Sequence, residues 1–152
     1  MSLIRSIPTQ YNDIQFRSRF EADFARVLDR WCIDWQYEPQ SFLLANGVHF
    51  WPDFYLPLLE MWIELRGYTS EKGEAQIAQF AAELKPGHSF MVVRAGGSRE
   101  VFRGRARTDR TDADRRVRSK ELRLWSTAML EFDNARGETG EVIVHDLPGG
   151  AS

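Results

Sequence analysis

The apolar positions along the chain change period several times, and each change predicts an element. In FRSRFEADFARVLDRWC, residues 16–32, Phe16, Phe20, Phe24, Val27, Leu28 and Trp31 recur at the spacing of one helical face. At about 100° per residue, Glu21 falls on the border of that stripe, beside Arg17 and Leu28. Short aromatic and β-branched runs follow at Trp35–Tyr37, Ser41–Leu44, Val48–Tyr55 and Met61–Arg66, which predict strands. Ala45-Asn46-Gly47 is a hairpin turn, Asn-Gly being the preferred type I′ pair. Pro52 sets its strand at a sheet edge or on a bulge, and Leu58–Glu60 is a short loop. After a turn at Tyr68–Ser70, residues 71–84 predict a second helix with Ser70 as N-cap and Ile77, Phe80, Ala81 and Leu84 buried. SFMVV, 89–93, is the continuous apolar run of a buried central strand.

Beyond Gly97 the pattern weakens. Residues 97–120 read as a strand start followed by a polar, poorly packed segment, 120–132 fit strand or helix, 140–147 a late strand, and 148–152 a flexible tail. Helix, strands, helix, strand in this order predict an α/β fold with a mixed central sheet flanked by helices.

Length and composition place this in one soluble domain. A chain of 152 residues falls within the usual size of a single domain, and burial of roughly 70% of its unfolded surface suffices for a core without staples. With 43% hydrophobic and 28% charged residues it has an ordinary globular composition. The lone Cys32 allows no intrachain disulfide, so a reducing, cytoplasmic location is expected. No signal-length or 18-residue apolar run occurs, so neither secretion nor membrane insertion is expected. His49, His88 and His145 show no metal-ligand spacing, which argues against structural zinc.

The net charge of −2 is unevenly spread. Residues 94–123 hold 11 Lys/Arg against 5 Asp/Glu, a local excess of +6, leaving −8 for the rest. Such a segment reads either as a phosphate footprint or as a solvated loop.

Two carboxylates interrupt apolar strands. In Met61–Arg66, side chains alternate faces, so Met61, Ile63 and Leu65 can bury together while Trp62, Glu64 and Arg66 share the other face. Asp53 lies in the preceding strand, within reach of an antiparallel pairing. Converging carboxylates suit a hard divalent cation, and without one they would repel and raise a pKa. Taken singly, Glu64 and Arg66 read equally as an exposed charge pattern and Asp53 as a turn residue.

The helix FRSRFEADFARVLD, then YEP, PDFYLP and WIELRG resemble, in order, the core blocks of the PD-(D/E)XK nuclease superfamily, in particular its small phage and bacterial members. The resemblance covers about residues 11–93. It implies a restriction-endonuclease-like αβββαβ core and a Mg²⁺- (or Mn²⁺-) dependent deoxyribonuclease acting on DNA, with homodimerisation allowed because cutting two strands needs two sites. Asp53 and Glu64 match the metal-binding acids, Glu21 the helix glutamate that completes the site, and Leu65 the residue whose backbone carbonyl reaches the cation.

The family's lysine is here Arg66. A guanidinium cannot accept a proton at working pH, but it can hold a phosphate oxygen and stabilise developing charge. Arg66 is therefore excluded as base, and activation of the attacking water falls to the cation. Lys72 is a candidate substitute, with an exposed helix position the alternative. Trp51 and Tyr55 alternate with Asp53 and could line the cleft. Arg17 and Arg19 flank Glu21 and, with Arg103, Arg105 and Arg107 of the basic segment, are candidate DNA contacts. The competing expectation, motivated by Arg66, is a degenerate nuclease fold that binds DNA or a protein without cleaving.

Overall fold

A computed structural model describes residues 7–67, 70–138 and 140–147. The expected flexible tail at 148–152 and most of the turn at 68–70 lie outside the described residues.

The chain opens with a hairpin that the apolar pattern did not announce: β1 (Thr9–Tyr11) and β2 (Ile14–Phe16) pair antiparallel. Asn12 and Asp13 between them have φ of 52° and 62°, the left-handed pair of a tight hairpin turn. The first helix, α1 (Arg19–Arg30), therefore starts later than the periodicity implied. Phe16 is the last residue of β2, and Ser18, extended at φ −147°, caps the helix in a capping box with Glu21.

Next come β3 (Gln36–Tyr37), β4 (Phe42–Leu43), β5 (His49–Phe50), β6 (Phe54–Leu56) and β7 (Met61–Arg66). The Asn46-Gly47 turn joins β4 and β5, which form a separate two-stranded sheet. The expected strand 48–55 is thus divided. Pro52 has no N–H to give a ladder, and the N–H of Leu65 donates to the Asp53 carboxylate (2.8 Å) rather than to a backbone carbonyl. The β6–β7 pairing ends at Phe54↔Ile63 for that reason. Pro52 also does not mark an edge strand: β3 covers β6, and the proline escapes the ladder by lying before it.

Helix α2 (Glu71–Ala82), capped by Ser70, crosses from β7 to the parallel strand β8 (Ser89–Arg94), the connection a parallel pair requires. The strand start expected after Gly97 is β9 (Arg99–Arg103), antiparallel to β8, while the segment expected to be poorly packed runs instead into a regular helix, α3 (Asp112–Arg136). Thr111 and Asp114 form its capping box, and Gly137, left-handed at φ 68°, ends it. A final strand, β10 (Val142–Asp146), runs parallel to β9.

The fold is α/β, with a mixed six-stranded sheet in the order β10-β9-β8-β7-β6-β3. On one face α1 and α3 bury Phe20, Phe24, Leu28, Trp125 and Phe132 against Phe54, Ile63, Leu65 and Val93. On the other, α2 and the β4–β5 hairpin bury Phe50, Ile77 and Phe80 against Trp62, Phe90 and Val92. The predicted alternation of β7 holds: Met61, Ile63 and Leu65 face the first core and Trp62 the second. Among the described residues no helix is long and apolar enough to cross a membrane.

Candidate metal centre

Three elements bring carboxylates to one place. Continuing the β6–β7 register one step past Phe54↔Ile63 sets Asp53 opposite Glu64. The Leu65 N–H anchors Asp53 Oδ2 at 2.8 Å. Because N–H and C=O of one strand residue point the same way, the Leu65 carbonyl turns toward Asp53 too. The Arg66 carbonyl, on the opposite side, accepts from Ala95 N (2.9 Å).

Glu21 enters from the first turn of α1. Its Oε1 accepts from Ser18 N (3.0 Å) and from the Tyr37 hydroxyl (3.2 Å). No hydrogen bond among the described residues reaches Oε2. Tyr37 also accepts from Arg17 N (3.2 Å), so the helix entry, β3 and the glutamate are held together. The capping role gives Glu21 a structural use as well as a chemical one.

The structure adds a fourth acid that the motif reading passed over. Glu38, in the YEP block, has oxygen atoms close to the others: one carboxylate oxygen each from Glu21, Glu38 and Asp53 lie within 4.8 Å of one another. Its backbone is locked to the Asp53 segment, with Glu38 N donating to Asp53 C=O (2.8 Å) and Trp51 Nε1 donating to Glu38 C=O (2.7 Å). Nothing in strand periodicity points to Glu38. Its placement comes from a left-handed backbone (φ 45°) just before Pro39. An acid inside a block already singled out for its order was the available signal.

Burial makes the cluster electrostatically tense. Glu21, Asp53 and Glu64 are only 5%, 7% and 6% exposed. Desolvation, then the charges of Glu64 and Glu21, hold the Asp53 carboxyl well above the usual carboxylate range, with the Leu65 N–H opposing. Burial pushes Glu64 up to about 7, against the pull of Arg66. Glu64 Oε2 pairs with Arg66 Nη2 at 2.8 Å, while its Oε1 is buried and accepts no hydrogen bond.

This donor set fits a hard divalent cation. Opposed oxygens stand about 4.2 Å apart around Mg²⁺ and about 4.6–5.2 Å around Ca²⁺, close to the spread seen here. All the donors of the Glu21–Glu38–Asp53 group are oxygens. Glu64 lies outside that group, opposite Asp53, with its Oε1 buried and unpartnered.

The remaining expected residues divide. Arg17, exposed, forks onto Glu38 through Nε–Oε1 (2.8 Å) and Nη2–Oε2 (3.2 Å), at the mouth of the cluster. Arg19 is exposed beside it. Lys72 is exposed on the first turn of α2, next to Gly73, where an added Cβ would lie 3.4 Å from Arg66 Nη1. Trp51 is half exposed over Glu38. Tyr55 instead stacks near Trp62 (ring centroids 4.3 Å apart). It borders an apolar hollow of about 270 Å³ with Phe42, Trp62 and Phe80, which contains none of the four acids.

The basic segment is not gathered at the acids. Arg103 pairs in register with Ser89 and Ser89 with Met61, at the start of β7, about 10 Å along the strand from Glu64. Arg103 is engaged by Asp146 (2.7 Å), and Arg107 by Glu60 (3.0 Å) and Asp109 (2.8 Å). The Arg105 carbonyl accepts from Gly87 N (2.6 Å) at that same end, and among the described residues its side chain forms no ion pair. Much of the local positive excess is thus spent on internal pairs, including the buried fork of Arg99 on Asp133 that ties β9 to α3 (Nη1–Oδ2 2.8 Å). No family model matches this chain, and neither does any curated protein or solved structure.

Proposed function

We propose that the protein is a divalent-cation-dependent DNA endonuclease with a PD-(D/E)XK-type core. The observation that carries the reading is the convergence of carboxylate oxygens from Glu21, Glu38 and Asp53 within 4.8 Å, with the buried Glu64 of β7 opposite Asp53. The order α1, the antiparallel strands β3, β6 and β7, crossover α2 and parallel β8 agrees with an αβββαβ core.

Asp53, Glu64 and the Leu65 carbonyl would hold Mg²⁺ or Mn²⁺, with Glu21 completing the set. Bound there, the cation supplies Lewis-acid stabilisation of a phosphate and lowers the pKa of water. The chain's own contribution is to position and neutralise. Leu65 N–H fixes the Asp53 carboxylate, and the capping box fixes Glu21. Arg66, a guanidinium, would stabilise charge developing on phosphate and leave proton removal to other groups. Arg17, exposed on Glu38, and Arg19, exposed at the start of α1, would meet the DNA backbone, and the exposed Trp51 ring could stack on a base.

One observation favours a second reading. Arg66 sits directly on Glu64 (2.8 Å), where it competes with a cation for the same carboxylate. A site disabled in this way would bind DNA or a protein without cutting. Nicking of supercoiled plasmid with Mg²⁺ or Mn²⁺ decides. Cleavage by wild type that is lost in Asp53→Ala and Glu64→Ala is expected; equal residual cleavage in all three removes the nuclease assignment.

A further inference from the structure

We propose that Glu38 is a ligand of the divalent cation, and that Arg17 is a latch on it which the cation displaces. The inference rests on the metal-binding part of the reading above and assigns two residues that the strand motif does not.

Two independent observations support it. Glu38 brings a carboxylate oxygen within 4.8 Å of oxygens from both Glu21 and Asp53, a spread that one hard cation can span. Separately, Glu64, opposite Asp53 in the β6–β7 register and more than nine-tenths buried, keeps Oε1 without a hydrogen-bond donor. A buried carboxylate oxygen left unsatisfied calls for a positive partner.

Charge matching agrees. Among the described residues, the ion pairs made by Glu21, Glu38, Asp53 and Glu64 are Arg17 on Glu38 and Arg66 on Glu64. Four carboxylates against two guanidiniums leave two negative charges, the complement of one divalent cation. The backbone of Glu38 is pinned on both sides, by Asp53 C=O and by Trp51 Nε1, so its carboxylate is delivered without freedom to wander. It is held there by Arg17, whose side chain is 65% exposed. Only the guanidinium end of the pair faces solvent, the Glu38 side chain being 16% exposed, so a divalent cation can replace Arg17 on Glu38. The exchange frees the Arg17 guanidinium at the mouth of the site, where a phosphate can receive it. Cation and DNA binding become coupled through one arginine.

The test is Mn²⁺ titration followed by the electron paramagnetic resonance of free Mn²⁺, on wild type, Glu38→Gln and Arg17→Ala, with melting of each protein with and without Mn²⁺. Glu38→Gln should weaken Mn²⁺ binding at least about tenfold, the scale on which even outer partners of metal sites act, and should shrink the Mn²⁺-induced rise in Tm. Arg17→Ala should tighten binding about two- to fivefold, because it removes the guanidinium that competes with Mn²⁺ for Glu38. Wild-type affinity in Glu38→Gln overturns the ligand assignment, and weakened affinity in Arg17→Ala overturns the latch. Mn²⁺ binding with the expected Glu38 dependence, in a protein that nicks no plasmid, upholds this inference and removes the nuclease. Plasmid nicking with Mn²⁺ affinity indifferent to Glu38 does the reverse.

Discussion

Glu64 should make this protein less stable as the pH rises, in a range where most proteins are near their optimum. Burial lifts its carboxyl from an ordinary 4.5 to about 7. A group whose folded pKa is raised favours folding most below its unfolded pKa, and that advantage disappears as pH climbs through the folded value. The window is therefore about pH 4.5 to 7. A separation of that size corresponds to on the order of 3 kcal/mol, or about 6–12 °C in Tm for a chain of this length. Asp53, raised for the same reason, acts in the same direction. Carboxylates held low, such as Asp146 beside Arg103, Asp109 beside Arg107 and Asp114 in its capping box, lose their contribution only on acidification and leave this window undisturbed. The perturbation is Glu64→Gln, which keeps the shape and removes the titration. Urea unfolding at pH 5, 6, 7 and 8 should show wild type losing stability across the series and the variant losing distinctly less. Mg²⁺ at pH 8 should restore the wild type and leave the variant unchanged. Parallel pH profiles for the two proteins would refute the reasoning.

Two further outcomes follow from the same geometry. Arg66→Lys replaces a guanidinium that grips Glu64 by a smaller point charge; plasmid nicking should rise, and an inert wild type beside a cleaving variant would identify a binding module with a disabled site. Asp133→Ala strands the buried Arg99 that joins β9 to α3 and should cost about 3–5 kcal/mol in chemical denaturation; a loss below 1 kcal/mol would show the pair to be dispensable.

The parts of the fold that could be read ahead of the structure are those where one face is buried over a whole element. Met61–Arg66, the helix after Ser70 and the 89–93 strand carried clear periodicity, and each stands where the pattern placed it. Helix α3 was obscured because its buried residues, Glu121, Trp125, Ala128, Met129, Phe132 and Asp133, begin only after its first nine residues. The first turns have little core to cover and read as a charged loop, although the Thr111–Asp114 capping box marked their start. β10 was legible as a strand and β9 as a strand start, but their parallel pairing was not, since it depends on α3 as crossover. At the candidate site Glu21, Asp53 and Glu64 were visible as acids that apolar elements should avoid. Glu38 was not, because its position depends on a left-handed backbone and on hydrogen bonds to residues 13 to 15 positions away. The arginines of the basic segment misled for a related reason: a charge count does not show that Glu60, Asp109, Asp133 and Asp146 already engage them.

The account's central claim is that Asp53, just before β6, and Glu64, in β7, are carried into apolar surroundings in order to share one cation. Crystals soaked in Mn²⁺ and measured at the manganese absorption edge test it most directly. A single anomalous peak bridging Asp53 and Glu64, with the Leu65 carbonyl and Glu21 at its side, is the predicted result. Intact carboxylates with no peak among them, at Mn²⁺ concentrations that fill ordinary nuclease sites, would contradict it.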